Sequence, residues 1–277
     1  MKPLLSIIVT LGLMGSAWAA APGEPGGTPP NEQTAREVLN KSPRHGEWVE
    51  IKVEGAEAPL KSYIVYPERK DKAPVVIVIH EIFGESDWVR SVADQLAADG
   101  FIAIAPDMLS GHGPNGGGTD SLGDRQGVTR AVMGLKRDEV MRDINAVRDY
   151  GLKLSAASGK SATIGFCWGG GQSFAYATVQ PGLNAAVVYY GTPPSKQAME
   201  QIKCPVLGCY GGNDNRVSST VPAATAQMKE LGKSYDPHIF DGAGHGFLRG
   251  QEQSKANAKA AQEAWTLTIA FLKEHTK

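Results

Sequence analysis

The chain of 277 residues has only three cysteines, Cys167, Cys204 and Cys209, which excludes a small scaffold built on disulfides. It has no surplus of either charge. Its 28 Lys and Arg stand against 29 Asp and Glu, a net charge of −1, so nothing in the composition favours nucleic acid or an anionic membrane surface. There is no internal repeat. No metal is expected: His80-Glu81 lacks the second histidine of a zinc helix, because Gly84 stands there, and no other His/Cys cluster exists. The glycines around position 170 are not followed by the Lys-Ser/Thr of a phosphate loop, and no cofactor is implied. What remains is 42% hydrophobic and 21% charged, the make-up of an ordinary globular protein.

Residues 1–21 read as a secretory signal peptide. Lys2 precedes an apolar run from Leu4 to Met14, and Ala17-Trp18-Ala19 forms an A-x-A cleavage site, placing the cut after Ala19 or Ala21. The run is too short to span a bilayer, and no twin-Arg pair is present. The expectation is a mature protein that is periplasmic or secreted, free of the membrane once cleaved. Residues 22–45 form a Pro/Gly-rich segment whose first part, 22–30, reads as a disordered linker. Cys204 and Cys209 lie five positions apart on a predicted strand. That is roughly 16 Å with side chains on opposite faces, so they are read as unbridged core residues.

From residue 46 to 277 the pattern is that of one α/β domain. Segments 47–53 and 62–66 alternate like paired antiparallel strands. Segment 74–80, PVVIVIH, is a continuous β-branched run, as expected of a strand covered on both faces. Further strands are predicted at 101–105, 162–166, 185–190, 205–210 and 235–240. Helices are predicted around Trp88, Val92 and Leu96, around Val140, Ile144 and Val147, over 168–179, around Val221, Met228 and Leu231, and around Ala261, Trp265, Thr268 and Leu272. Strands alternating with helices give a mostly parallel sheet with helices on both faces. The glycine-rich stretch 111–127 has no apolar period and is expected to lie over the substrate site as a loop or lid.

Gly165-Phe166-Cys167-Trp168-Gly169-Gly170-Gly171 joins a predicted strand to a predicted helix, the context of a nucleophile elbow with Cys in place of Ser. Glycines flank such a turn because neighbouring backbones leave no room for Cβ atoms. The helix behind offers free N–H groups to an oxyanion. Asp214 stands at the C-terminal end of one later strand and His245 in a glycine-rich loop after another. The spacings, 214−167 = 47 and 245−214 = 31, leave room for the intervening βα units. The chain order nucleophile, acid, histidine is that of the α/β-hydrolase triad. Asp107, after the strand at 101–105, is read as a turn former.

These residues resemble the dienelactone hydrolase family of cysteine-based α/β-hydrolases over about residues 60–272. The resemblance rests on His80-Glu81-Ile82-Phe83-Gly84, Pro106-Asp107, the Cys167 elbow, Gly211-Gly212-Asn213-Asp214 and Ala243-Gly244-His245-Gly246-Phe247. It implies that Cys167 is the nucleophile, His245 the base and later acid, and Asp214 its orienting carboxylate. Glu81 would contact the resting thiol and help deprotonate it, and the backbone N–H groups of Ile82 and Trp168 would form the oxyanion hole. Arg249 would hold a substrate carboxylate, with Arg125 or Arg130 as a second arginine. Independently of the family, a carboxylate beside a thiol opposes ionisation and keeps it a slow-reacting neutral group.

The expected activity is hydrolysis of small lactones or carboxylic esters, carboxylate-bearing ones foremost, by a monomer whose only partner is its small-molecule substrate. Two rivals stay open. One is a broad esterase or thioesterase whose arginines serve only the fold. The other is a non-catalytic binding protein of the same fold.

Overall fold

The computed structural model describes residues 20–277, so most of the signal-peptide reading falls on residues outside those described. Eight strands form one sheet: β1 (Gly46–Ile51), β2 (Leu60–Val65), β3 (Ala73–Ile79), β4 (Ile102–Pro106), β5 (Ala157–Phe166), β6 (Ala185–Tyr189), β7 (Val206–Gly211) and β8 (Tyr235–Phe240). Their order is β1-β2-β4-β3-β5-β6-β7-β8. β1 and β2 pair antiparallel, as the alternation predicts, and β2 also runs antiparallel to β4; the remaining pairs are parallel.

The helices are α1 (Ala35–Lys41), α2 (Asp87–Ala98), α3 (Arg125–Gly134), α4 (Arg137–Lys153), α5 (Trp168–Ala177), α6 (Lys196–Met199), α7 (Asn215–Ser218), α8 (Val221–Glu230) and α9 (Lys255–His275). The central strand β3 shows why both faces need cover. Val75, Ile77 and Ile79 share a buried cluster with Ile144, Val147 and Phe174 on one face. Val76 and Val78 share a buried cluster with Trp88, Val92 and Leu96 on the other. All five of these β3 residues are fully buried. Each such side chain contributes roughly 1.5–3 kcal/mol of transfer free energy, which explains why the β-branched run was legible as a doubly covered strand. This is an α/β-hydrolase fold in a single domain.

Two expectations are corrected. Residues 22–30 are ordered, not a free linker. Their glycines turn the chain with φ of +88° at Gly23 and +78° at Gly26, and the turned N–H groups donate to α2 side chains. Gly23 N–H meets Gln95 Oε1 at 2.7 Å, Gly26 N–H meets Asp99 Oδ1 at 2.7 Å, and Pro29 and Pro30 are buried. A stretch without apolar periodicity carries no helix or strand signal, yet proline rings bury as well as other apolar groups and lose little entropy in doing so. The second correction concerns 111–127. Thr119 donates from its N–H and hydroxyl to the Asp107 carboxylate at 2.8 and 2.7 Å, and the stretch folds into two short 3-10 turns before α3 begins. Asp107 is thus the turn former expected of it. None of residues 111–127 is among those lining the cleft beside Cys167, although Arg125 at the start of α3 reaches the ring of Phe83, the neighbour of Ile82 in the cleft wall.

All three cysteines are free, and Cys204 and Cys209 are buried. The N-terminal segment is riveted to α2 by Arg44, whose guanidinium donates to both Asp94 oxygens at 3.0 and 2.6 Å with only 4% and 3% of the two side chains exposed. Removing one partner of such a buried pair strands the other charge. Arg44→Ala should therefore cost about 3 kcal/mol or more in urea unfolding, whereas Arg36→Ala, whose guanidinium is 79% exposed against Asp87, should cost less than about 1 kcal/mol. Equal midpoints for the two variants would contradict this account of the segment.

Candidate active site

Cys167 sits between β5 and α5 with φ +55° and ψ −114°, a left-handed conformation costing roughly 1–3 kcal/mol in a non-glycine residue. The turn survives because its neighbours have no side chains. A Cβ at Gly165 would lie 1.9 Å from the Gly169 carbonyl oxygen, and one at Gly169 would lie 2.3 Å from the carbonyl oxygens of both Ile79 and His80. The start of α5 therefore presses against the end of β3. Two N–H groups from adjacent strand ends, Trp168 after β5 and Ile82 after β3, converge on the sulfur and favour its thiolate. Burial outweighs them and pushes the thiol above its ordinary range, with the Glu81 charge adding to the rise. Cys167 is partly exposed and lines a cleft rather than being walled off.

Asp214 follows β7 and His245 follows β8, both at the C-terminal ends of strands. Asp214 Oδ2 lies 2.5 Å from His245 Nδ1. The two loops are tied together: Asn213 N–H donates to Ala243 O at 2.9 Å, Asn213 Nδ2 to Gly242 O at 3.1 Å, and Gly244 N–H to Asn257 Oδ1 at 2.9 Å. The His245 ring meets the edge of Tyr190, centroids 5.0 Å apart, and Tyr190 also lines the cleft that holds Cys167. No hydrogen bond joins the resting sulfur to the imidazole among the described residues. The polar groups that act on the sulfur are the Glu81 carboxylate, the Trp168 and Ile82 amides and the Arg216 guanidinium.

Glu81 does not hydrogen-bond the thiol. Its carboxylate accepts from Arg249 Nε at 2.7 Å, and burial pushes its pKa up while Arg249 pulls the other way. Arg249 and Arg125 come together on Phe83, their guanidinium carbons 4.9 and 3.6 Å from the ring centroid. Arg125 rather than Arg130 therefore joins Arg249. The loop carrying Glu81 and Ile82 is braced by His80, which is fully buried and stacks on Trp168 with centroids 5.5 Å apart. Met108 N–H points at His80 Nε2, 3.2 Å away, so the proton resides on Nδ1 and is donated to Glu81 O at 2.7 Å. Burial lowers the His80 pKa and keeps this neutral form.

Three contributors were not anticipated from sequence. The cleft, about 320 Å³, is lined by Ile82, Met133, Cys167, Trp168, Tyr190, Thr192 and Arg216. Met133 comes from α3, a helix whose only advance signal was the Asp124 cap, which accepts from Gly127 N–H at 2.7 Å. Tyr190 takes φ +39°, and its buried hydroxyl has no partner among the described residues. Arg216 stands two positions after Asp214, exposed and without an ion pair among the described residues, and its charge favours the thiolate. Its place beside the acid was readable, because both share a loop at the working end of the sheet.

Removing the Glu81 charge, and so releasing the Arg249 charge, lowers the thiol pKa and raises the thiolate fraction below that pKa. Glu81→Gln should then react with iodoacetamide at pH 8 at least about threefold faster than the parent at Cys167, followed by mass spectrometry. A rate equal to or below the parent's would contradict the electrostatic reading of Glu81.

The model of the dienelactone hydrolase family matches residues 60–276. A "Putative carboxymethylenebutenolidase" of Saccharolobus solfataricus is 28% identical over 251 residues, covering 79% of this chain and 96% of its own. Protein usf of Aquifex pyrophilus is 30% identical over 237 residues, covering 83% and 99%. Among solved structures, a dienelactone hydrolase-like promiscuous phosphotriesterase from metagenomic libraries superposes with a TM-score of 0.70 at 24% identity, over 84% of this chain and 99% of its own. With the family match spanning most of its length, the chain belongs to the dienelactone hydrolase family.

Proposed function

We propose that this chain is an exported hydrolase of small carboxylic esters or lactones acting through an acyl-cysteine intermediate. One observation carries the reading: a strained, partly exposed cysteine facing two backbone N–H groups, in a cleft lined by Tyr190, whose ring meets a histidine already paired to a buried carboxylate. In the resting state the sulfur itself occupies the donors that would hold an oxyanion. A substrate carbonyl oxygen takes its place between Ile82 and Trp168, and the displaced sulfur turns onto the carbonyl carbon.

The thiol proton passes to His245 as the sulfur attacks, which leaves an imidazolium held by Asp214. A C–S bond forms, the tetrahedral oxyanion rests on the two amides, and its collapse breaks the C–O bond to the leaving oxygen. In a simple ester the alcohol departs after protonation by His245. In a lactone it stays tethered to the acyl group. His245, oriented by Asp214, then takes a proton from water, whose oxygen replaces sulfur on the carbonyl carbon and restores the thiol. Substrate size is set by the cleft: Ile82, Met133, Trp168 and Tyr190 give it a mainly apolar wall suited to a small acyl group.

Against a binding protein of the same fold stands the cost of the elbow. Cys167 and Tyr190 both hold positive φ at the site, strain that a protein without turnover has no reason to keep. The test is a panel of esters and lactones with mass spectrometry of the intact chain. Cys167 should gain the mass of the acyl group, His245→Gln should accumulate that adduct, and Cys167→Ala should lower hydrolysis by at least about a hundredfold. An alanine variant of undiminished activity, or an adduct on another residue, would refute the mechanism.

A further inference from the structure

The two arginines stacked on Phe83 are not free to receive a substrate anion. Glu32, from the N-terminal segment, reaches both: one carboxylate oxygen pairs with Arg249 Nη1 and the other with Arg125 Nη2 at 3.3 Å. Glu81 holds the remaining edge of Arg249 through Nε. Two guanidinium charges are thus met by two carboxylates, a quartet of zero net charge. Arg249 keeps only 17% of its side chain exposed.

Glu32 is placed by its backbone and not by chance of side-chain reach. Its N–H donates to Arg249 O at 3.0 Å, Trp88 Nε1 donates to Pro30 O at 3.1 Å, and Gln251 Nε2 donates to Pro29 O at 2.8 Å. The family match starts at residue 60, so Glu32 lies outside the portion that the family shares. A carboxylate brought in on a segment of its own occupies the positions a substrate carboxylate would take.

The geometry points to Glu32 as the specificity-determining residue of this site, an internal counter-anion that turns it from carboxylate-bearing substrates toward neutral esters and lactones. This rests on the proposed function and narrows its substrate class. A substrate anion entering the quartet must displace Glu32 or leave a net negative cluster next to Ile82, in the mainly apolar wall of the cleft. A neutral acyl group meets no such opposition. Removing the Glu32 charge leaves two arginines against one glutamate, a net charge of +1 suited to one carboxylate.

The experiment pairs two esters that differ by one charge: the 4-nitrophenyl monoester of adipate and its methyl-capped counterpart. The ratio of their kcat/KM values is measured for the parent, Glu32→Gln and Glu32→Ala. Both variants should shift that ratio toward the carboxylate ester by roughly tenfold, mainly through KM. Calorimetry with benzoate, in a Cys167→Ala background, should show binding tightened by roughly tenfold on adding Glu32→Gln. A ratio and a benzoate affinity unchanged within about twofold would overturn the assignment. Loss of Cys167 acylation by the neutral ester in the parent would instead strike the proposed function, leaving the benzoate measurement to judge Glu32 alone.

Discussion

Two missing side chains, at Gly165 and Gly169, permit a contact on which the site's geometry depends. β3 and β5 are sheet neighbours in register from Val75 with Ser161 to Ile79 with Gly165, so their C-terminal ends lie side by side. Only glycine lets the first turn of α5 come against the Ile79 and His80 carbonyls. That approach brings amides from two separate loops onto one sulfur. The conformational strain at Cys167 is the counterpart of the same contact, held by Cys167 N–H donating to Tyr189 O at 3.0 Å and Gly171 N–H donating to Cys167 O at 3.2 Å.

Around that contact the site divides by polarity. On one side is a cleft walled by Met133, Trp168 and Tyr190 with a single cation, Arg216, at its rim. On the other is a compact set of alternating charges built on Phe83, with Arg249 at the centre touching carboxylates from two distant parts of the chain. Glu81 connects the halves. Its side chain belongs to the charged set, its own carbonyl fixes the neutral His80 ring, and its negative charge reaches the sulfur. Electrostatics in this buried setting is weakly screened, so a charge that makes no direct contact still acts on the thiol.

Much of this was legible in the sequence, and the reason is locality. A strand that needs cover on both faces announces itself by β-branched residues, and each of the eight strands overlaps a predicted one, although β5 begins at Ala157, five residues before the reading placed it. The elbow was readable because tight backbone contact demands glycine at fixed offsets. Asp214 and His245 followed from their places at strand ends. What escaped was decided by contacts between distant segments. The ordering of residues 22–30 depends on α2 side chains some seventy positions away, as with Gly23 and Gln95 at a separation of 72. The turn of Glu81 toward Arg249, 168 positions on, has no local signature, and neither has the arrival of Glu32.

The three sulfurs differ in a way that bears on chemical durability. Cys209 is fully enclosed, and burial holds both it and Cys204, the latter pushed up to about 11, far from the thiolate form. Of the three thiols, an electrophile or peroxide arriving from solvent thus meets one that is within reach, Cys167. Wear at that thiol would leave the two enclosed ones, and the packing around them, untouched, so a reductant able to return it to the thiol would return it to an unaltered scaffold.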